Sequence, residues 1–170
     1  MQAWKPKSAN SEKEQRIWTW LADVPDPEIP ILSVLDLGIV RDIVIQEDAV
    51  EVSVSPTYSG CPATEVIEQS IIAELRENGV ENISVKRVLS PPWTTDWISE
   101  AGRNKLKKYG IAPPAGSTSK RELLDGTRTI ACPHCESFDT RLVSEFGSTP
   151  CKASYKCDEC LEPFEYFKCI

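Results

Sequence analysis

Two C-x2-C pairs near the end of the chain, Cys132-Pro-His-Cys135 and Cys157-Asp-Glu-Cys160, constrain what this sequence can fold into more than any other feature. A C-x2-C turn sets two sulfurs on one side of a tight knuckle. Two such knuckles complete a tetrahedral four-thiolate site with metal–sulfur distances of ~2.3 Å. The 21 residues between the pairs fall slightly outside the commonest spacing template, but the doubled motif is specific. Six of the seven cysteines lie in the last 39 residues, and the N-terminus, beginning Met1-Gln-Ala-Trp-Lys-Pro-Lys, lacks the apolar run of an export signal. Such clustering reads as metal binding in a reducing cytoplasm rather than as a disulfide framework. Four thiolates leave no open coordination position, so the expected ion, zinc, holds the fold and hydrolyses nothing. A tail of about forty residues needs such a staple. An iron–sulfur cluster on the same four cysteines stays open, as does a reduced dithiol pair.

His134, the only histidine, lies inside the first knuckle. It could compete as a ligand, but four thiolates already satisfy the ion. Its solitude excludes Ser-His-Asp triads over most of the chain and metal sites rich in imidazole. Cys151 and Cys169 do not fit the doubled pair. If residues 157 and 160 face each other across the second knuckle, Cys151 falls opposite position 166 and Cys169 opposite position 148, and a mutual disulfide would need a bulge. Both read as buried small apolar residues, with a second metal site as the alternative.

The composition changes along the chain. Residues 1–118 hold 12 Lys+Arg, 17 Asp+Glu and one cysteine, Cys61, against 7 Lys+Arg and 9 Asp+Glu in 119–170. Between them, Ile111-Ala-Pro-Pro-Ala-Gly-Ser-Thr-Ser119 has linker chemistry. A boundary near 112–126 follows, with domains at 1–115 and 128–170 and a linker at 116–127. A chain ending near Ala115 is expected to fold alone. The net charge of −7 argues against binding nucleic-acid phosphates. No apolar stretch reaches the ~18–20 residues of a membrane span.

Within the first segment, Ser11-Glu-Lys-Glu14 is a capping box for a helix running to about Asp23. Pro25, Pro27 and Pro30 then force an extended acidic loop. Gly38–Ile45 and Val50–Val54 alternate as a strand pair around Gln46-Glu-Asp48. A helix carrying Ala63, Ile67, Ile71 and Leu75 follows Pro62 and stops at Asn78-Gly79. Ile83, Val85 and Val88 read as a third strand, and a last helix near Ser99–Tyr109 ends at Gly110. The order α-β-β-α-β-α predicts an α+β domain, a small mixed three-stranded sheet packed with helices. After it comes a small four-cysteine, zinc-ribbon-like β domain whose knuckles sit on hairpins.

The first segment has no phosphate-binding glycine loop, no Rossmann glycines and no histidine, so most cofactor chemistry is unavailable to it. Its one distinctive nucleophile or soft ligand is Cys61, between Gly60 and Pro62 at the start of a helix. Free N–H groups and the helix dipole there favour a thiolate, opposed by Glu65. Asp26 and Glu28 read as solvated loop charges before they read as paired carboxylates. Asp36 is expected to cap the turn before the strand, and Gly38 to supply a backbone shape. Trp93 and Trp97 read as core before they read as partner surface.

Three strings then carry a resemblance. Asp26-Pro-Glu-Ile-Pro30, Asp36-Leu-Gly-Ile-Val40 and Thr57-Tyr-Ser-Gly-Cys-Pro62, in that order and followed by a helix, resemble the signature of the metal–sulfur cluster biosynthetic family. That family includes SufT-like proteins and small cytosolic iron–sulfur assembly factors, and the match covers most of residues 15–105. Pro92-Trp-Thr-Thr-Asp-Trp97, Tyr109-Gly-Ile-Ala-Pro-Pro114 and the Cys-rich ending narrow it to the phenylacetate-degradation members of the family. The resemblance implies a non-catalytic accessory role beside the multicomponent oxygenase that epoxidises phenylacetyl-CoA. The implied partners are that oxygenase's protein components, its iron–sulfur reductase first, with neither nucleic acid nor membrane involved. It implies that Cys61 is the functional cysteine and handles iron or a cluster transiently. It makes Asp26, Glu28, Asp36, Gly38, Thr57, Gly60 and Pro62 supporting motif residues. The alternative is a structural or electron-transfer subunit of the oxygenase.

Overall fold

The computed structural model describes residues 11–58, 60–114 and 130–168. Two compact units emerge, Met1–Trp93 with Trp97–Ser99 and Thr94–Asp96 with Glu100–Ile170. Among the described residues no helix is long and apolar enough to cross a membrane.

In the first unit, Ser11 Oγ accepts the Glu14 N–H at 3.2 Å and starts α1 (Glu12–Leu21), which buries Ile17 and Leu21. Strands β1 (Val40–Gln46) and β2 (Ala49–Val54) form an antiparallel hairpin, and β2 pairs in parallel with β3 (Asn82–Arg87). The parallel pairing needs a crossover, which α2 (Ala63–Glu77) supplies. Ile67, Ile71 and Leu75 of α2 are buried, as are Val50, Val52 and Val54 of β2. Burying each such side chain contributes about 1.5–3 kcal/mol. This is the mixed three-stranded sheet that the sequence predicts. The topology has one consequence for function: the start of β1 and the ends of β2 and β3 lie at the same edge of the sheet. The Ser55 N–H donates to Ile39 O (2.8 Å) and the Val88 N–H to Val54 O (2.7 Å). The segments that run into β1 at Ile39 and out of β2 and β3 at Ser55 and Val88 therefore meet at the same end of the sheet.

In the second unit, β5 (Thr140–Ser144), β6 (Lys152–Cys157) and β7 (Pro163–Phe167) form an antiparallel ribbon. A fourth strand, β4 (Ile111–Ala112), pairs in parallel with β7, giving the order β4-β7-β6-β5. Helix α3 (Glu100–Lys108) packs beside β4. Ala112 belongs to the same buried cluster as Ile130, Tyr155, Phe164 and Tyr166. The Arg103 guanidinium donates to Pro114 O and, at 2.6 Å, to Thr95 O.

Residues 100–112 thus pack with the ribbon, and the division between units falls near 94–100, ahead of the expected boundary at 112–126. The proposed linker, 116–127, lies outside the described residues. The sequence hides this because Ile111-Ala112 is too short for alternation and runs straight into prolines. We expect a 100–170 fragment with metal to be more stable than a 116–170 fragment by at least ~2 kcal/mol, since Ile111 and Ala112 are buried. Thermal melts of the two metal-loaded fragments decide this, and equal midpoints would refute it.

The ribbon register also differs from the expected one. Ala153 opposes Tyr166, and the Cys157 N–H donates to Glu162 O at 3.0 Å, so residue 157 faces 162, not 160. The second knuckle is two residues longer than a minimal hairpin, with Leu161 at φ 64. Cys151 accordingly lies opposite Lys168, whose N–H donates to Cys151 O at 2.9 Å. Cys151 is buried, its sulfur 3.1 Å from Thr149 Oγ1. Cys169 lies outside the described residues.

Candidate metal centre and cysteine loop

The two knuckles bring four sulfurs together. The Sγ atoms of Cys132, Cys135, Cys157 and Cys160 all lie within 4.8 Å of one another. Cys132 and Cys160 are 3.7 Å apart, and Cys135 and Cys157 are 3.6 Å apart. A tetrahedron with metal–sulfur bonds of ~2.3 Å has sulfur–sulfur edges of about 3.8 Å. The donor set therefore fits one tetrahedral thiophilic ion. The knuckles repeat one another: the residue after the second cysteine is left-handed in both, Glu136 at φ 65 and Leu161 at φ 64. In the first knuckle the Glu136 N–H donates to Cys132 O, and in the second the Cys160 N–H points at Cys157 Sγ, 3.5 Å away. His134 is not part of the four-sulfur group.

Without an ion the sulfurs are unequal. N–H groups of Cys160 and Glu159 hold the Cys157 thiol down at about 7 against desolvation, and the neighbouring thiols reinforce them. At Cys160 the Glu162 N–H pulls down, but desolvation and the three other sulfurs outweigh it and push the thiol up to about 12. Four thiolates cannot coexist this close without a cation. Cys132 and Cys157 are buried, and Cys135 is exposed, so the centre has a dry side and a wet side.

The remaining motif residues lie in the first unit. Asp26 is buried, and its Oδ1 accepts the N–H groups of Glu28 (2.9 Å) and Ile29 (2.8 Å). It folds the Pro27–Pro30 loop back on itself and is not the solvated charge expected of it. Glu28 is half-buried. Asp36 and Ser33 cap each other: Asp36 Oδ2 accepts the Ser33 N–H, and Ser33 Oγ accepts the Asp36 N–H, both at 3.1 Å. The other Asp36 oxygen accepts the Ser99 hydroxyl at 3.1 Å. Trp93 Nε1–H donates to Leu37 O at 2.8 Å, and the Arg41 guanidinium lies 3.3 Å above the Trp97 ring centroid. Trp93 and Trp97–Ser99 thus clasp the Asp36-Leu-Gly38 turn, and the sequence gives no local sign of it.

Cys61 is a half-buried free thiol one residue before the α2 N-cap, Pro62. Its N–H donates to Tyr58 O and its carbonyl accepts the Thr64 N–H, both at 3.2 Å, which fixes the backbone on either side of the sulfur. Gly60 is exposed, and nothing lies within 4 Å of where its Cβ would be; Thr57 is half-buried. The four thiolates are the only group of three or more potential ligands that converges among the described residues. Asp26, Asp36 and Cys61 form no such group.

Comparison with known proteins gives the same two parts. Residues 14–88 match an iron–sulfur cluster assembly protein family, and residues 116–168 match the PaaD zinc β-ribbon domain. An Escherichia coli K12 protein, provisionally named as one of the components of 1,2-phenylacetyl-CoA epoxidase, is 48% identical over 154 residues, covering 91% of this chain and 92% of that one. The Fe-S protein maturation auxiliary factor SufT of Staphylococcus aureus is 35% identical over 87 residues, 49% of this chain and 96% of its own. A Bacillus anthracis crystal structure of a domain of unknown function, DUF59, has a TM-score of 0.51 at 27% identity, over 54% of this chain and 89% of that one. With near-full coverage of an E. coli relative and a match to each half, the chain belongs to the PaaD family, in which an iron–sulfur cluster assembly domain precedes a four-cysteine zinc ribbon.

Proposed function

We propose that this chain is a non-catalytic accessory protein that assists iron–sulfur cluster assembly or insertion in a phenylacetyl-CoA epoxidase component, its iron–sulfur reductase first. The observation that carries this is the pairing of both parts in one relative named as an epoxidase component, while the first part alone resembles Fe-S maturation factors. Cys61 is the residue that touches iron, sulfide or a client cluster. It is partly accessible, and its approach is open at Gly60. One cysteine without converging ligands cannot keep a cluster, which suits brief handling. The ribbon holds zinc as structure, because four thiolates close the coordination sphere. The chain works in the cytoplasm.

Cys61→Ala tests this. It should leave melting temperature and zinc content unchanged but leave the reductase without its cluster, read as lost visible absorbance of the purified reductase and lost growth on phenylacetate. Cys61 should also react with iodoacetamide far faster than the metal-bound cysteines. Wild-type growth of the Cys61→Ala strain would reduce Cys61 to packing. A brown protein with a stable redox-active cluster would instead make the chain an electron carrier.

A further inference from the structure

The end of α3 and the first cysteine knuckle border an open surface concavity of ≈ 510 Å³ lined by Asn104, Lys107, Lys108, Gly110, Pro133 and His134. It lies wholly within the second unit and uses none of the four sulfurs. Its charge opposes that of the chain. Helix α3 reads Glu-Ala-Gly-Arg-Asn-Lys-Leu-Lys-Lys, four cations against one anion, in a protein of net charge −7. Lysines in a last turn complement the helix dipole, which accounts for their charge but not for a concavity they share with an imidazole and an amide. The exposed imidazole lies against the helix end. Gly110 has φ +87, and a Cβ there would lie 3.1 Å from His134 Cε1 and 3.6 Å from Nε2. The bare glycine lets the ring seat against the helix end. Lys107 also pairs with Glu136, but both side chains are exposed, and such a pair contributes at most about 1 kcal/mol.

We propose that this cavity binds the phosphate group of a small-molecule phosphate ester. Lys107 and Lys108 supply the charge, and Asn104 and His134 supply flanking hydrogen bonds. Two neighbouring ammonium groups suit a dianion better than a single carboxylate, and lysine is a common phosphate binder. The volume lies in the ~300–1,000 Å³ range of small-molecule sites, which leaves room for an organic body beyond the phosphate. Pro133 and His134 sit between the ligands Cys132 and Cys135, so this wall is fixed only when the knuckle has closed on its ion. Phosphate binding should therefore depend on the metal. The proposal is independent of what Cys61 does.

The test titrates the metal-loaded, ¹⁵N-labelled full chain with inorganic pyrophosphate and with ADP. Amide shifts should concentrate at Asn104, Lys107, Lys108, Gly110 and His134, and ADP should bind more tightly than pyrophosphate. Lys107→Gln with Lys108→Gln should weaken ADP binding about tenfold or more, as expected for losing two charge-assisted contacts. Lys105→Gln, on the same helix but outside the lining, should not. Asn104→Leu keeps every charge and should also weaken ADP binding, by less than the double lysine variant. Unchanged ADP affinity in the double variant, or shifts scattered over other lysines, would overturn the site. ADP binding no tighter than pyrophosphate would overturn the ester assignment, and unchanged binding after metal removal would overturn the role of the knuckle.

Discussion

Replacing Cys157 by serine is expected to unfold the ribbon and leave the first unit folded. Metal content should fall from about one ion per chain to a small fraction, and dispersed amide signals from 140–167 should collapse while those of 11–93 persist. The magnitude follows from what the ion does. Binding to a structural four-thiolate site is itself folding free energy, on the order of 10 kcal/mol or more. Cys157 has the most to lose: it is fully buried and shares a cluster with Cys132, Tyr155, Phe164 and Tyr166. A serine there would bury a hydroxyl in apolar surroundings besides removing a ligand. The pH dependence has a definite sign. Thiolates bind the ion and thiols do not, so uptake releases protons and the apparent affinity falls as pH falls. The metal-free ribbon is unfolded, so its four thiols are protonated through the neutral range and each must give up its proton to the ion; affinity should therefore fall steadily as pH falls. Competition with a chromophoric chelator between pH 6 and 8 measures this, each additional proton adding about a factor of ten per pH unit. Full metal occupancy in the Cys157→Ser protein would remove the four-thiolate assignment.

How legible the chain was from its sequence depended on how local the determinants are. Caps and periodicity reside in a few consecutive residues, so α1 is capped at Ser11 and α2 at Asn78, as the capping box and the Asn-Gly stop predict. The four-sulfur group was legible because the doubled C-x2-C spacing brings its members together. What was not legible depends on partners far along the chain. Ile111-Ala112 becomes a strand only because Glu165 and Tyr166 lie beside it. Asp26 is buried because its loop turns back on it. The ribbon register was off by two because a metal knuckle needs a left-handed residue after its second cysteine, a role often met by glycine and here taken by Leu161. The clasp on the Asp36-Leu-Gly38 turn comes from residues more than fifty positions away.

That clasp makes the two motif glycines opposites, and Gly38→Ala is expected to be the most damaging small substitution in the first unit. Gly38 has φ +65, which costs a residue with a Cβ about 1–2 kcal/mol. The added methyl would also lie 2.5 Å from Trp97 O and 2.9 Å from Trp97 Cβ. Neither can yield easily, because Trp97 is held over Arg41 and flanked by Trp93 and Ser99, both hydrogen-bonded to the turn itself. Forcing such an overlap adds about 1–3 kcal/mol, so the total is roughly 3 kcal/mol or more. For a unit of this size each kcal/mol lowers the melting temperature by ~4–8 °C. The loss should therefore exceed ten degrees or so, with the ribbon's metal content unchanged. Gly60→Ala is the control, because open space surrounds its Cβ and its φ is not left-handed. It should melt like the parent. If it nonetheless slows iodoacetamide modification of Cys61 or loading of the reductase, the glycine serves access to the sulfur, whereas Gly38 serves the fold. A Gly38→Ala protein melting within two degrees or so of the parent would mean that the clasp can open at little cost, and the turn would then be a hinge rather than a fixed support.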